Sequence, residues 1–151
     1  MSDSPGPGST VERLGYLIKR AQAALHAEMA RVLHRHGVTL AQFAVLAALA
    51  EQPGLSNADL ARRAFITPQS MGENLRELEQ RAWITRRRHP THGRILQTEL
   101  TDAGRETFRA CDATVVVIEH RMLAALEIDQ RRQCAEALRT CIAALSAPES
   151  E

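Results

Sequence analysis

A chain of 151 residues and 16.7 kDa has room for one domain, or for two small units sharing a core, and 44% hydrophobic content is enough to fill that core. Three cysteines, Cys111, Cys134 and Cys141, with no C-x-x-C pair exclude a disulfide framework and a zinc ribbon. A net charge of +1 argues at first against a nucleic-acid partner, but between Arg62 and Arg94 eight arginines meet three acids, a local +5 that leaves −4 for the rest.

The opening "MSDSPGPGST" is polar, rich in Pro and Gly and without an apolar stretch, so residues 1–10 are expected to form a disordered arm rather than a secretory signal. The longest uncharged run, Gly37 to Ala50, is shorter than the roughly 20 apolar residues a bilayer requires, and a soluble cytoplasmic protein is expected. From Val11, apolar residues recur at Leu14, Ile18, Ala21, Leu25, Met29 and Val32, one face of a long helix that Gly37 ends. Thr39 followed by Gln42 has the form of a capping box and opens a second, mostly apolar and therefore central helix that stops before Pro53. Ser56 with Asp59 caps a short third helix reaching about Ala64. Thr67 and Pro68 supply the cap and first-turn proline of a fourth, with Met71, Leu75 and Leu78 on its inner stripe. Two helices joined by a tight turn, the second opening with small polar residues, form a helix-turn-helix.

Ile84 to Thr101, "ITRRRHPTHGRILQTELT", reads as two extended runs around a Pro/Gly turn. Beyond it, Phe108, Cys111, Val115, Ile118, Met122 and Leu126 keep helical spacing, so the apolar run Val115–Ile118 is assigned to a helix and not a strand. A last helix, about Asp129 to Ser146, aligns Cys134, Leu138, Cys141, Ile142 and Leu145, with both cysteines expected as buried small hydrophobes. Residues 147–151 form a tail. The fold class is mainly α with a β-hairpin: a winged helix-turn-helix over 38–101, with 11–37 and 102–146 as helical dimerisation regions. The apolar stripes of the terminal helices call for a second copy, hence a homodimer.

An α-helix fits the major groove and reads base edges there, which makes Gln69, Ser70, Asn74 and Arg76 the candidate readers. Thr67, Pro68 and the free N–H groups of that helix start can meet a phosphate. Glu73 either accepts from a cytosine amino group or holds Arg76 three residues on. A ribbon with the turn "HPTHGR" can lay its tip along the minor groove, with Arg94 inserted and Arg86, Arg87, Arg88 and His92 alongside. Strand alternation lets at most two of the three consecutive arginines reach one phosphate wall; the third covers the domain. His89 and His92 could add charge at low pH or share a metal, but a turn held by one hydrogen-bonded histidine is the favoured reading. No nucleophile elbow, P-loop or dinucleotide fingerprint appears, so no enzyme, cofactor or metal is called for. With 3% aromatic residues, a stacking platform for single strands or RNA is disfavoured.

Leu60 to Gly104 resembles the MarR family of transcriptional regulators. The resemblance rests on Leu60-Ala61, the opening Thr67-Pro68-Gln69-Ser70, Leu78-Glu79, Ile84, Arg94 in the register of the wing arginine, and the closing Leu100-Thr101 with Gly104. His92 stands where the family usually has a wing acid, Ala82 and then Trp83 where a glycine often follows the recognition helix, and Glu73 and Asn74 where Arg or an apolar residue is commoner. The resemblance implies a repressor of a pseudo-palindromic operator, released when a small aromatic or phenolic effector enters a crevice lined by the first, second and fifth helices. The rival reading is a winged-helix protein–protein module.

Overall fold

The computed structural model describes residues 13–146. Its elements run α1 (Leu14–His34), α2 (Leu40–Glu51), α3 (Asn57–Ala64), α4 (Pro68–Gln80), β1 (Ile84–Arg88), β2 (Leu96–Leu100), α5 (Asp102–Leu123) and α6 (Ile128–Ser146). They divide into two compact units, Met1–Val116 and Val117–Glu151, the boundary falling within α5. The expected arm, Val11 and the tail lie outside the described residues. Among those residues no helix is long and apolar enough to cross a membrane.

Local signals set the helix starts of the first unit. Thr39 and Gln42 form the reciprocal capping box, as do Ser56 and Asp59, and the Thr67 hydroxyl accepts from the Ser70 N–H with Pro68 in the first turn. Gln42 does more than cap. It is 2% exposed, its Oε1 accepts from the Thr39 N–H at 3.1 Å, and its Nε2 donates to Glu77 on α4 at 2.7 Å, so no polar atom of this buried amide is stranded.

Three helices of this unit end in the same motif, in which the residue after the helix takes a left-handed backbone and the next N–H reaches back five residues. After α1 the residue is Gly37 at φ 66, with Val38 N–H on the Leu33 carbonyl. After α3 it is Phe65 at φ 55, with Ile66 N–H on Ala61, and after α4 it is Ala82 at φ 57, with Trp83 N–H on Leu78. Glycine meets this geometry freely; Phe65 and Ala82 each carry a steric cost of roughly 1 kcal/mol.

Leu33, Leu46, Leu49, Leu60, Met71, Leu75, Leu78 and Ile84, drawn from five elements, are all essentially fully buried and make the core. Each contributes roughly 2 kcal/mol through removal from water. The hairpin is antiparallel, with Ile84 opposite Leu100, Arg86 opposite Thr98 and Arg88 opposite Leu96. Leu55, just before α3, adds a bridge to Thr98, which pins the hairpin base to the helix-turn-helix. At the start of α5 the Thr101 hydroxyl donates to the Ala82 carbonyl at 2.6 Å and accepts from the Gly104 N–H at 3.0 Å. The backbone is so close here that a Cβ on Gly104 would lie 1.9 Å from the Trp83 carbonyl oxygen.

Val115–Ile118, which spans the boundary between the units, is helical, as its flanking pattern required. α6 has no buried residue. The expectation that its cysteines are packed away does not hold: Cys134 is exposed and Cys141 half-buried, because none of the described residues covers that face. Cys111 alone is buried, and desolvation pushes its thiol up, keeping it protonated.

Candidate nucleic-acid interface

α4 turns its apolar stripe inward, which leaves Thr67, Pro68, Gln69, Ser70, Glu73 and Arg76 exposed and Asn74 half-buried. The Asn74 amide donates to the Ser70 carbonyl at 2.9 Å, which leaves its oxygen and its second N–H for a partner. Glu73 and Arg76 form no ion pair among the described residues. The idea that Glu73 holds Arg76 therefore has no support in the geometry, and both side chains stand open to solvent.

The hairpin sorts the three consecutive arginines. Ile84 and Arg86 share the inner face, and the Arg86 guanidinium meets Glu79 of α4 through Nη2 at 2.7 Å and Nε at 3.2 Å. Arg86 is thus the member of the run that covers the domain, whereas Arg87 and Arg88 are exposed. At the tip, His89 Nδ1 accepts from the backbone N–H groups of Thr91 and His92, both at 3.1 Å, as a turn-holding histidine should. His92 and Arg94 are exposed, with the His92 ring 5.1 Å from that of His89.

The first turn of α4 and the wing meet across a groove of about 410 Å3, to which Pro68, Arg86, Arg94, Ile95, Leu96 and Thr98 contribute. Its other wall is the start of α3, where Asn57 donates to the Pro68 carbonyl at 3.4 Å. Sequence reasoning used this helix start only as a cap and missed Asn57, which carries no local signal and gains its position only from the packing of α3 on β2. At the same cap, the Ser56 hydroxyl on Asp59, reinforced by Arg62, holds the Asp59 carboxyl below the usual aspartate value.

A second concavity, of about 620 Å3, lies on α1, α2 and the α3–α4 turn. Gln22, His26 and Met29 line it from α1, Leu40, Ala41, Phe43 and Ala44 from α2, and Arg63, Ala64, Phe65 and Ile66 from α3 and the turn. α5 reaches it only indirectly, through Phe108 stacked on Phe43 with centroids 5.9 Å apart.

The MarR family model matches residues 36–95, from the turn after α1 to the loop before β2. The HTH-type transcriptional repressor Rv2887 of Mycobacterium tuberculosis (strain ATCC 25618 / H37Rv) is 40% identical over 120 residues, 80% of this chain and 86% of that protein. The chain belongs to the MarR family. It is a winged helix-turn-helix transcriptional regulator of that family. Among solved structures, the M. tuberculosis MarR family protein Rv2887 in complex with salicylic acid superposes on this MarR-family chain with a TM-score of 0.71 at 38% identity, covering 85% of this chain and 96% of that one. Its complex with DNA gives 0.71 at 36%, covering 85% and 97%. The repressor CouR bound to a 23-mer DNA duplex gives 0.80 at 30%, covering 92% and 99%.

Proposed function

We propose that this regulator is a repressor that binds a pseudo-palindromic operator as a homodimer and lets go when a small aromatic acid occupies the α1–α2 cavity. The observation that carries the DNA reading is the shared groove: the first turn of α4 and the wing arginine Arg94 border one concave face. The exposed side chains Gln69, Ser70, Glu73 and Arg76 and the half-buried Asn74 then read bases, and Thr67 and Pro68 with the free N–H groups of the helix start meet phosphate. Arg94, with Arg87, Arg88 and His92, follows the backbone into the minor groove, and Arg86 braces the strand against α4. A protein acting on chromosomal DNA works in the cytoplasm.

Exposed apolar residues support the dimer: Leu14, Leu17 and Ile18 on α1, Val117 and Met122 on α5, Leu138, Ile142 and Leu145 on α6. A second copy covers such residues without leaving an apolar surface in water. Two-fold symmetry then sets the two α4 helices about 34 Å apart, one turn of duplex. For the effector, the cavity offers an apolar body with Gln22, His26 and Arg63 as polar groups and no acid, which suits a planar carboxylate. Release requires only that the ligand prefer the arrangement that does not fit DNA.

The test is a gel shift against the gene's own upstream region at two salt concentrations. Retention of duplex at low salt is expected, and its absence would overturn the reading. Arg94→Ala should weaken binding and flatten the slope of log affinity against log salt by about one unit; an unchanged slope would show that Arg94 does not neutralise a phosphate.

A further inference from the structure

Phe65 is the least explained residue of the first unit. It is 95% exposed, and its backbone at φ 55 is one that asparagine or glycine adopts with less strain. Packing within the chain cannot offset either cost, because the ring touches almost nothing. The cost is not inherent in ending the helix, since Gly37 closes the same motif after α1 without it.

Position supplies the reason. Phe65 lines the 620 Å3 cavity together with His26 and Met29 of α1, with Phe43 as a second aromatic in the wall. It also lies two residues before Thr67, the cap that starts α4. A group that touches Phe65 therefore touches the turn on which the recognition helix is mounted.

We propose that Phe65 is the lid of the effector cavity, its ring closing on the face of a planar aromatic carboxylate held between α1 and α2. The proposal rests on the reading of that cavity as the effector site. The occupant gains a stacking surface that the empty protein leaves in water, and the offset-stacked geometry favoured by aromatic pairs requires the ring to swing inward. The same movement pulls on Ile66 and Thr67, so occupancy biases the setting of α4 within one protomer. Ligand contact with the turn is the differential interaction that an effector needs.

The experiment measures binding of salicylate, 4-hydroxybenzoate and p-coumarate to the full chain by calorimetry, for wild type, Phe65→Asn and Phe65→Tyr. Asparagine suits the left-handed backbone, so Phe65→Asn should melt no lower than wild type while its affinity for the acid that wild type binds falls at least about tenfold. Phe65→Tyr keeps the ring and should stay within about threefold. The acid concentration that halves DNA binding should rise in Phe65→Asn by the same factor. Equal acid affinity in wild type and Phe65→Asn overturns the lid and leaves the effector site standing. Binding of none of the three acids by wild type overturns the effector reading and the lid with it. Should Phe65→Asn melt lower, protection of the Ile66 and Thr67 amides from hydrogen exchange in wild type decides: slower exchange with acid bound supports the lid, and no change overturns it.

Discussion

The two compact units differ in whether they finish their own core. In the first, Leu33 of α1, Leu46 and Leu49 of α2, Leu60 of α3, Met71, Leu75 and Leu78 of α4 and Ile84 of β1 are buried together, and only the start of α1 leaves its stripe, Leu14 and Ile18, exposed. In the second, α6 buries nothing, and Ile142 and Leu145 are 63% and 89% exposed although they recur at the helical spacing of a core face. An apolar stripe read from sequence states that a face will be covered; it does not say by what. The helix-turn-helix and hairpin of the first unit supply that cover themselves, whereas the start of α1 and the second unit, in the reading proposed above, take it from another copy.

The strongest way to break this contrast is to charge the uncovered face. Ile142→Glu with Leu145→Glu should convert the native mass from dimer to monomer and weaken operator binding at least about a hundredfold, since two linked half-sites bind far more tightly than one. Melting of the first unit should persist, and a variant that remains dimeric would refute the assignment of α6 to the interface. Next in size is a substitution aimed at the closed unit. Gly104→Ala forces a methyl group into the Trp83 carbonyl, a clash with backbone that no side-chain rotation relieves, and should cost about 3 kcal/mol in chemical denaturation.

Relieving strain sharpens the comparison in the other direction. Ala82→Gly removes a left-handed alanine after α4 and should raise stability by about 0.5–1 kcal/mol, despite the added freedom of the unfolded chain. No matching gain is expected from glycine substitutions on α6, where the backbone is regular helix. The smallest effect concerns pH. Because the Asp59 carboxyl is held below its ordinary value in the folded chain, its contribution is present above that ordinary value and is lost as pH falls through the depressed one. Urea titrations below about pH 4 should show a decline that Asp59→Asn lacks.

Much of the candidate surface was legible in the sequence. Thr67, Pro68, Gln69, Ser70, Glu73 and Arg76 stand exposed on α4 as their spacing required, because Met71, Leu75 and Leu78 left them no other face. Alternation along β1 demanded that Arg87 face away from Arg86 and Arg88, but not which of the three would cover the domain. Arg86 turns inward because Glu79 waits on the outer side of α4, and the sequence offered no sign of that pairing. The cysteines of α6 were misjudged for a related reason: their spacing was read as burial, and spacing reports only a shared face.

What the sequence determined alone is what acts over a few residues: the capping boxes of α2 and α3, the Pro68 start of α4, the Gly37 stop, the hairpin and the inner stripes. These depend on hydrogen bonds and sterics between residues three to five apart, and the chain carries them wherever it goes. The tertiary structure alone decided that Gln42 reaches Glu77, 35 positions away, that Asn57 shares a groove with Arg94, and that Phe65 hangs over a cavity it does not fill. Such contacts arise only once helices have chosen their neighbours, and that choice is made by the summed burial of the core rather than by any pair within it.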